Sequence, residues 1–287
     1  MNIAHLILCH ANPGQLKRLV DRLMHSDAEC YIHVDKKADI TQFKALLSGS
    51  NIHFVTNRVK VYWGDYSIVQ ATINSFEEIL ATGKPYDYIQ LMSGQDYPLT
   101  GIEAFHKFLE NNPGKVFMHY ESVADVWHEA IPRIKNYYLS HLKMPKGTHQ
   151  AEKIVNALLP SRKLPDGIVA VGRSQWFTAS RESITYIVDY VKKERWVSRF
   201  FKYSWAADEL IFQTILYNSP FREHMVNNNL LYLDWSAGEA SPKVLTMADA
   251  PAIMASGKFF ARKFNADTDC EILDYIDNIA VTTRANS

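Results

Sequence analysis

One stretch constrains this 287-residue chain more than any other: Tyr86-Asp87-Tyr88-Ile89-Gln90-Leu91-Met92-Ser93-Gly94-Gln95-Asp96-Tyr97-Pro98-Leu99. Its first half has the composition of a buried strand. It then turns polar at Ser93, Gly94, Gln95 and Asp96, and Pro98 stops further pairing. The pattern occurs twice more. Leu6-Ile7-Leu8-Cys9 runs into His10-Ala11-Asn12, and Cys30-Tyr31-Ile32-His33-Val34 runs into Asp35-Lys36-Lys37. Open α/β sheets place their ligand crevice at the carboxyl ends of the strands. Three such strand ends predict one site on one sheet edge.

The first 120 or so residues alternate strand and helix, which predicts a mostly parallel sheet with right-handed crossovers. Asn12-Pro13-Gly14-Gln15 reads as a helix start: Asn caps, Pro suits the first turn, and Gln falls where a capping box places it. Asp39 with Gln42, and Thr100 with Glu103, repeat that spacing. Val69, Ile73, Phe76 and Leu80 form a helical face, and strands are expected near 52–55, 88–92 and 116–119. Residues 121–165 are polar and aromatic and break the pattern. It returns with a strand at 174–179 and helices at 180–193, 207–216 and 270–279, with a strand near 230–233 between the last two. No repeat, low-complexity run or flexible linker interrupts the chain, so one α/β domain over 1–287 is expected.

Composition narrows the partners. Lys plus Arg and Asp plus Glu number 31 each, a formal net charge of zero, which argues against nucleic acid. Cys9, Cys30 and Cys270 lack metal-ligand spacing, and two lie in apolar runs, which suits a reducing compartment. The start Met1-Asn2-Ile3-Ala4-His5 has no signal-peptide character, and no run reaches the ~18–20 apolar residues of a membrane span. A cytoplasmic protein is expected. The segment Arg195-Trp196-Val197-Ser198-Arg199-Phe200-Phe201-Lys202-Tyr203 mixes cations and aromatics. It suits either peripheral contact with a membrane surface or a half-buried helix with a solvated basic face.

Asp208-Glu209 precedes Leu210 and Ile211. A carboxylate facing a partly desolvated cleft becomes a better base near neutral pH; one at a helix start is a partner for the dipole. Phe259-Phe260-Ala261-Arg262-Lys263-Phe264 holds two cations in an aromatic run. They either snorkel to the surface or need an anion, supplied by a buried carboxylate or a ligand phosphate. Lys243, in Ser241-Pro242-Lys243, is a third cation of this kind. His33-Val34-Asp35 carries one carboxylate where an Asp-x-Asp metal motif has two. Asp35 therefore reads as an acceptor for a ribose or base, or as a turn residue paired with lysine. Gly-x-Gly-x-x-Gly, P-loop and His-Glu-x-x-His motifs do not occur. Trp63, Trp127, Trp176 and Trp235 lie beside polar or glycine residues, so each is a core residue or a platform for a sugar ring.

Seven segments in order resemble one family over nearly the whole chain. They are Tyr31-Ile32-His33-Val34-Asp35-Lys36-Lys37, Val61-Tyr62-Trp63-Gly64-Asp65-Tyr66-Ser67, residues 91–99, Gly172-Arg173-Ser174-Gln175-Trp176-Phe177, Asp208-Glu209, Ser241-Pro242-Lys243 and Phe260-Ala261-Arg262-Lys263-Phe264. The resemblance is to the core-2/I-branching β-1,6-N-acetylglucosaminyltransferase family, which also contains the peptide O-xylosyltransferases. It implies a GT-A-like α/β fold, a UDP-sugar donor, a carbohydrate or glycoconjugate acceptor, and an inverting transfer without a metal or other cofactor. It implies that Glu209 is the catalytic base, that Lys263 and Lys243 bind the diphosphate, and that Asp35 contacts the nucleotide. On that basis the donor set is His10, His33, Asp35, Tyr62, Lys243, Arg262 and Lys263, and residues 1–120 form the nucleotide-binding half. Residues 121–287 form the acceptor and catalytic half. The acceptor or sugar candidates are Gln95, Asp96, Arg173, Gln175, Trp176, Asp208 and Trp235.

The animal members carry a membrane anchor and several disulfides; lacking these signals, this chain resembles a bacterial cytoplasmic relative. The xylosyltransferases carry Asp at the position of Gln175, which points to N-acetylglucosamine over xylose. Three alternatives stay open: a xylosyltransferase, a nucleotide-sugar-binding protein without turnover, and a metal-dependent transferase using Asp35.

Overall fold

The computed structural model describes residues 1–142 and 147–285. In chain order the elements begin β1 (Ile3–Cys9), α1 (Pro13–Leu23), β2 (Ala28–Val34), α2 (Ile40–Leu46), β3 (Ile52–Phe54), α3 (Ser67–Ala81), β4 (Tyr88–Ser93), β5 (Asp96–Pro98), α4 (Ile102–Glu110) and β6 (Val116–Ser122). There follow α5 (Ile131–Lys135), α6 (Thr148–Leu158), β7 (Val171–Ser180), α7 (Arg181–Lys193), α8 (Arg195–Phe201), α9 (Ile211–Tyr217), β8 (Met225–Asn227) and β9 (Leu231–Leu233). The chain closes with α10 (Ala250–Ala255), β10 (Phe260–Arg262) and α11 (Glu271–Ala285). The α/β alternation expected from the sequence is the one observed.

The chain divides into two compact units, each drawn from separated stretches: Met1–Thr56, Pro85–Pro113 and Leu230–Ser287 in the first, Asn57–Lys84 and Gly114–Asn229 in the second. In the first unit four parallel strands run in the order β3-β2-β1-β4. All seven residues of β1 and all six of β4 are buried, as parallel strands covered on both faces must be. The chain steps outward from β1 to β2 and β3, then returns to place β4 on the other side of β1. That reversal is a topological switch point, where open α/β sheets bind ligands. A second, three-stranded sheet has β10 antiparallel to β5 and parallel to β9.

Helix α1 begins where the sequence places it. Asn12 caps, its side chain accepting from Gln15 N at 3.4 Å, and Pro13 takes the first position. Leu16, Leu19, Val20 and Leu23 give it a buried i, i+3, i+4, i+7 face. Gln15 does not complete a capping box. It is 4% exposed and braces the sheet edge instead, as set out below. Asp39 caps α2 through Thr41 N, whereas α4 starts from Gly101, with no side-chain cap from Thr100.

In the second unit β6 lies between β7, antiparallel to it, and β8, parallel to it. Helix α3 buries Val69, Ile73, Phe76 and Ile79, one position off the expected Leu80. Phe76 packs with Phe177 and Phe212 at centroid distances of 6.3 Å each. The single helix expected at 207–216 is two pieces. A 3₁₀ turn, Ala207–Glu209, is separated from α9 by Leu210, whose φ of −125° and ψ of −45° break the helix. Residues 121–165, unreadable as strand, contain α5, α6 and 3₁₀ turns.

Cys9 and Cys30 are buried and Cys270 exposed, all three free. Among the described residues no helix is long and apolar enough to cross a membrane. In α8, Val197 and Phe201 are buried, and Phe200 lies under the Arg162 guanidinium at 4.0 Å. Its aromatics therefore turn inward, and Arg195, Arg199 and Lys202 are left exposed.

Candidate functional site

The strand ends singled out in the sequence do meet within the first unit. Backbone bonds stitch them: Asp35 N donates to Cys9 O at 2.8 Å and Gly94 N to Leu8 O at 2.9 Å. A Cβ on Gly94 would lie 2.9 Å from Cys9 Cβ, so only glycine lets the end of β4 approach β1 this closely. His10 is exposed on this edge, His33 is 1% exposed, and Asp35 is 6% exposed. Asp35 Oδ1 accepts from Lys37 N at 2.8 Å, and Oδ2 is 3.4 Å from Lys37 Nζ. The paired turn is therefore present, with the carboxylate nearly buried at the end of β2.

The cationic strand β10 is tied to the same edge. Gln15 Nε2 donates to Gly94 O at 3.3 Å and to Phe264 O at 3.1 Å, while its Oε1 accepts from Ala266 N at 2.8 Å. Phe264 N donates to Gln95 O at 2.9 Å. Gln15 thus ties the residue after Lys263 to the residue before Gln95.

The three cations differ in what neutralises them. Arg262 faces Asp96 across the β10–β5 pair, Nη1 to Oδ1 at 2.8 Å. Asp96 is 2% exposed, and its Oδ2 accepts from Ser93 N at 2.9 Å. Burial pushes its carboxyl up and the Arg262 charge pulls it back. The anion compensating Arg262 is therefore a buried carboxylate, and both oxygens of Asp96 are occupied within the fold. Lys243 pairs with Asp249 at 2.5 Å, a bond that holds its ammonium above the usual range.

Lys263 has no carboxylate within ion-pair distance among the described residues. Its Nζ donates to Ser241 Oγ at 2.9 Å, and burial together with the neighbouring Arg262 charge lowers its pKa. Leu245 N donates to Lys263 O at 2.9 Å, which draws the Ser241-Pro242-Lys243 segment alongside. Here is a partly desolvated cation, repelled by its neighbour, whose charge an incoming anion would relieve. Trp235, on the same stretch, is 51% exposed.

The second unit holds the carboxylates. Gly172 in β7 is where the Glu209 turn meets the strand: a Cβ there would sit 2.1 Å from Glu209 O and 2.9 Å from Leu210 Cα. Ala206, just ahead of the turn, holds φ at 49°, a conformation costly for a residue with a side chain. Glu209 Oε2 is bound by Arg133 Nη1 at 2.5 Å. The Arg133 guanidinium lies 4.8 Å from the Trp127 ring centroid and 4.5 Å from that of Trp205. Trp205 is itself backed by Gly64, whose φ of +69° and missing Cβ admit the indole at a distance any side chain would block. Tyr62 and Trp63 of that segment are 37% and 70% exposed.

Asp208 is 7% exposed, its Oδ1 has no hydrogen-bond partner among the described residues, and burial plus the adjacent Glu209 charge push its pKa up to about 7. The pair lies in the 3₁₀ turn ahead of α9, which starts from Leu210 with no side-chain cap, and the Glu209 carboxylate turns to Arg133.

Beside the turn, β7 presents Arg173, whose Nε is 3.5 Å from Glu121 and whose guanidinium lies 5.3 Å from the Trp127 centroid. Gln175 is 7% exposed and its Nε2 has no partner among the described residues; Trp176 is half-buried. Ser174 is held by Asn229 Nδ2 at 3.2 Å and by the Gln213 amide. Sequence reasoning missed Arg133, Trp205 and Gln15. Arg133 lies in the 121–165 segment, where no local pattern marks it. Gln15 carried a signal that also fits a capping box.

The chain matches the family described as Core-2/I-Branching enzyme over residues 3–259. It belongs to that family. The members are glycosyltransferases, and the two units' edge and turn bear the residues through which the sequence resembles them. The chain is 26% identical to Xylosyltransferase 2 of Rattus norvegicus over 300 residues, 96% of this chain and 33% of that protein. To Xylosyltransferase 1 of Homo sapiens it is 26% identical over 302 residues, 96% of this chain and 30% of that protein. It thus spans about one third of the length of these relatives.

Proposed function

We propose that this chain transfers a sugar from a UDP-sugar to a hydroxyl of a carbohydrate or glycoconjugate, with inversion at the anomeric carbon and without a metal ion. The observation that carries the reading is Lys263, a half-buried cation with a hydroxyl as its partner, tied through Gln15 and Gln95 to the carboxyl edge of β1 and β4. In the reaction the acceptor oxygen attacks C1, the bond from C1 to the β-phosphate oxygen breaks, and UDP departs with the added charge. Lys263, with Lys243 beside it, stabilises that charge as a metal would elsewhere. Asp35 and His10, on the same edge, contact the nucleoside. The acceptor proton passes to Glu209 through Oε1, since Arg133 holds Oε2. A positioned base of this kind contributes ~10²–10⁴-fold. A nucleotide-sugar-binding protein needs no such base, which favours turnover over binding alone.

N-acetylglucosamine is the donor sugar we favour. The buried Gln175 amide offers an unpartnered N–H donor, which suits a neutral acyl oxygen. The names of the relatives favour xylose as a second reading. The test is UDP release from a panel of UDP-sugars with a mixed glycan acceptor, with and without EDTA. The expected result is fastest release from UDP-N-acetylglucosamine, unchanged by EDTA. Loss of release on chelation, restored by Mn²⁺, refutes the metal-free mechanism, and faster release from UDP-xylose refutes the donor assignment.

A further inference from the structure

Helix α6 half-buries Ala151 and Val155 but leaves its largest apolar side chains exposed. A helix on a folded domain turns its apolar stripe to the core, yet α6 has no buried residue. It is attached through polar groups. Asn156 exchanges hydrogen bonds with the Tyr137 backbone at 2.7 and 2.9 Å, and Glu152 accepts from Leu139 N at 2.7 Å. The large aliphatic residues face outward: Ile154 is 59% exposed, Leu158 78% and Leu159 48%, with Leu142 at 53% upstream. Clustered exposure of large aliphatic side chains marks an interaction surface.

The rim of this surface is basic. Among the described residues from 131 to 166, the exposed ionisable side chains are Lys135, His149, Lys153 and Lys163, with Asp166 the one acidic exception. Glu152, the one acidic residue of α6, is half-buried and engaged. The segment is also firmly held. Arg162, 7% exposed, donates to the carbonyls of Arg133, Asn136, Phe200 and Tyr203 and to Ser204 Oγ. That staple joins it to α8, which carries the exposed Arg195 and Arg199 and is followed by the exposed Lys202. Protein interfaces are depleted in lysine and anchored by Trp, Tyr and Arg; leucine and isoleucine rimmed by lysine suit a helix lying in the plane of an anionic bilayer. We infer that α6 docks the protein on a membrane surface rich in anionic lipid, with Ile154, Leu158 and Leu159 entering the acyl boundary and Lys153 and Lys163 meeting the headgroups. This inference is independent of the transfer reaction.

The test is co-sedimentation of the full chain with phosphatidylcholine vesicles, with and without about one-third phosphatidylglycerol. Binding to the anionic vesicles and not to the neutral ones is expected. Ile154→Ser/Leu158→Ser should lower partitioning at least tenfold. Lys153→Gln/Lys163→Gln should lower it about 25-fold, at roughly fivefold per lysine. Both variants change exposed side chains, so thermal midpoint and UDP affinity should stay as in the wild type. Absence of binding, equal binding to both vesicles, or binding unchanged in the variants overturns the inference. So does a concentration-dependent dimer that Ile154→Ser/Leu158→Ser abolishes in the absence of any vesicle binding, because a second copy would then occupy the face.

Discussion

Gly172→Ala tests whether the placement of the Glu209 turn matters to the chemistry. The added methyl would start 2.1 Å from Glu209 O and 2.9 Å from both Leu210 Cα and Leu210 Cδ2. A carbon and a carbonyl oxygen sit comfortably at about 3.2 Å or more, so one side must move by about 1 Å. The strand has little freedom to give way. Gly172 is paired with Glu121 across the β6–β7 ladder, so the displacement falls on the turn. That turn is narrow: Glu209 N donates to Ala206 O at 3.1 Å and Leu210 N to Ala207 O at 3.1 Å, behind the left-handed Ala206. The Glu209 carboxylate moves with its backbone.

Misplacing a catalytic group by about 1 Å costs on the order of 10²-fold, which is about 2.7 kcal/mol of transition-state stabilisation at 1.36 kcal/mol per tenfold. Overpacking should also cost about 1–3 kcal/mol of stability, so the assay is run well below the unfolding midpoint. The expected outcome is a kcat lower by roughly 10²-fold, measured as donor-dependent UDP release, with UDP affinity by calorimetry near the wild-type value. Affinity should persist because the groups assigned to the diphosphate, Lys243 and Lys263, bond within the other unit. A folded Gly172→Ala protein with wild-type turnover would refute the argument. It would show either that the turn absorbs the methyl harmlessly or that Glu209 is not the base.

Four further outcomes are expected. Lys263→Ala removes the one cation of the three without a carboxylate partner, so UDP affinity should fall tenfold or more in calorimetry, at ~1.5–3 kcal/mol for a charge-assisted contact; unchanged affinity in a folded variant rules out the role. Glu209→Gln keeps shape but cannot take the acceptor proton, so kcat should drop about 10²-fold or more with UDP binding intact. Asp208→Asn should instead shift the pH–rate profile near neutrality, because burial and the Glu209 charge push the Asp208 carboxyl up to about 7; a profile identical to the wild type speaks against coupling of the pair. His5, fully buried with Nε2 unpartnered, has its pKa lowered to about 3 by burial, against a raising bond from Gln90. The unfolded chain therefore binds a proton below about 6.5 that the folded one refuses, and stability contributed by neutral His5 is lost as pH falls through that window. Relative to His5→Gln, the wild type should lose about 2 kcal/mol between pH 7.5 and pH 5 in denaturant titrations; parallel pH dependences of the two proteins would contradict this.

The parallel sheet was legible because burial on both faces leaves near-continuous apolar runs, and β1, β2 and β4 are such runs. Their polar ends were legible for the same reason: polarity appears abruptly where the core stops. The cation pair at 262–263 was recognisable as needing an anion, but sequence could not say which anion belonged to which cation. That depended on the β10–β5 register, which sets Arg262 opposite Asp96. Gln15 was misread because a glutamine three residues after a helix cap has the same spacing whether it reaches back to the cap or across to another strand. The broken helix at Leu210 was hidden because the break comes from a strand approaching at Gly172, a contact distant in sequence. Arg133 left no trace at all, since its partners Trp127, Trp205 and Glu209 are assembled by tertiary contacts.

Arg133 bears on how Glu209 would serve as the proposed base. Its guanidinium lies 4.8 Å from the Trp127 centroid and 4.5 Å from that of Trp205, which restricts its approach and holds it on Oε2. The second oxygen is thereby held in one direction, and the ion pair orders a flexible glutamate that would otherwise lose rotamer entropy on meeting the acceptor. For the proposed transfer the gain is positional: a carboxylate ordered before the acceptor arrives spends less on reorganisation when the proton is removed.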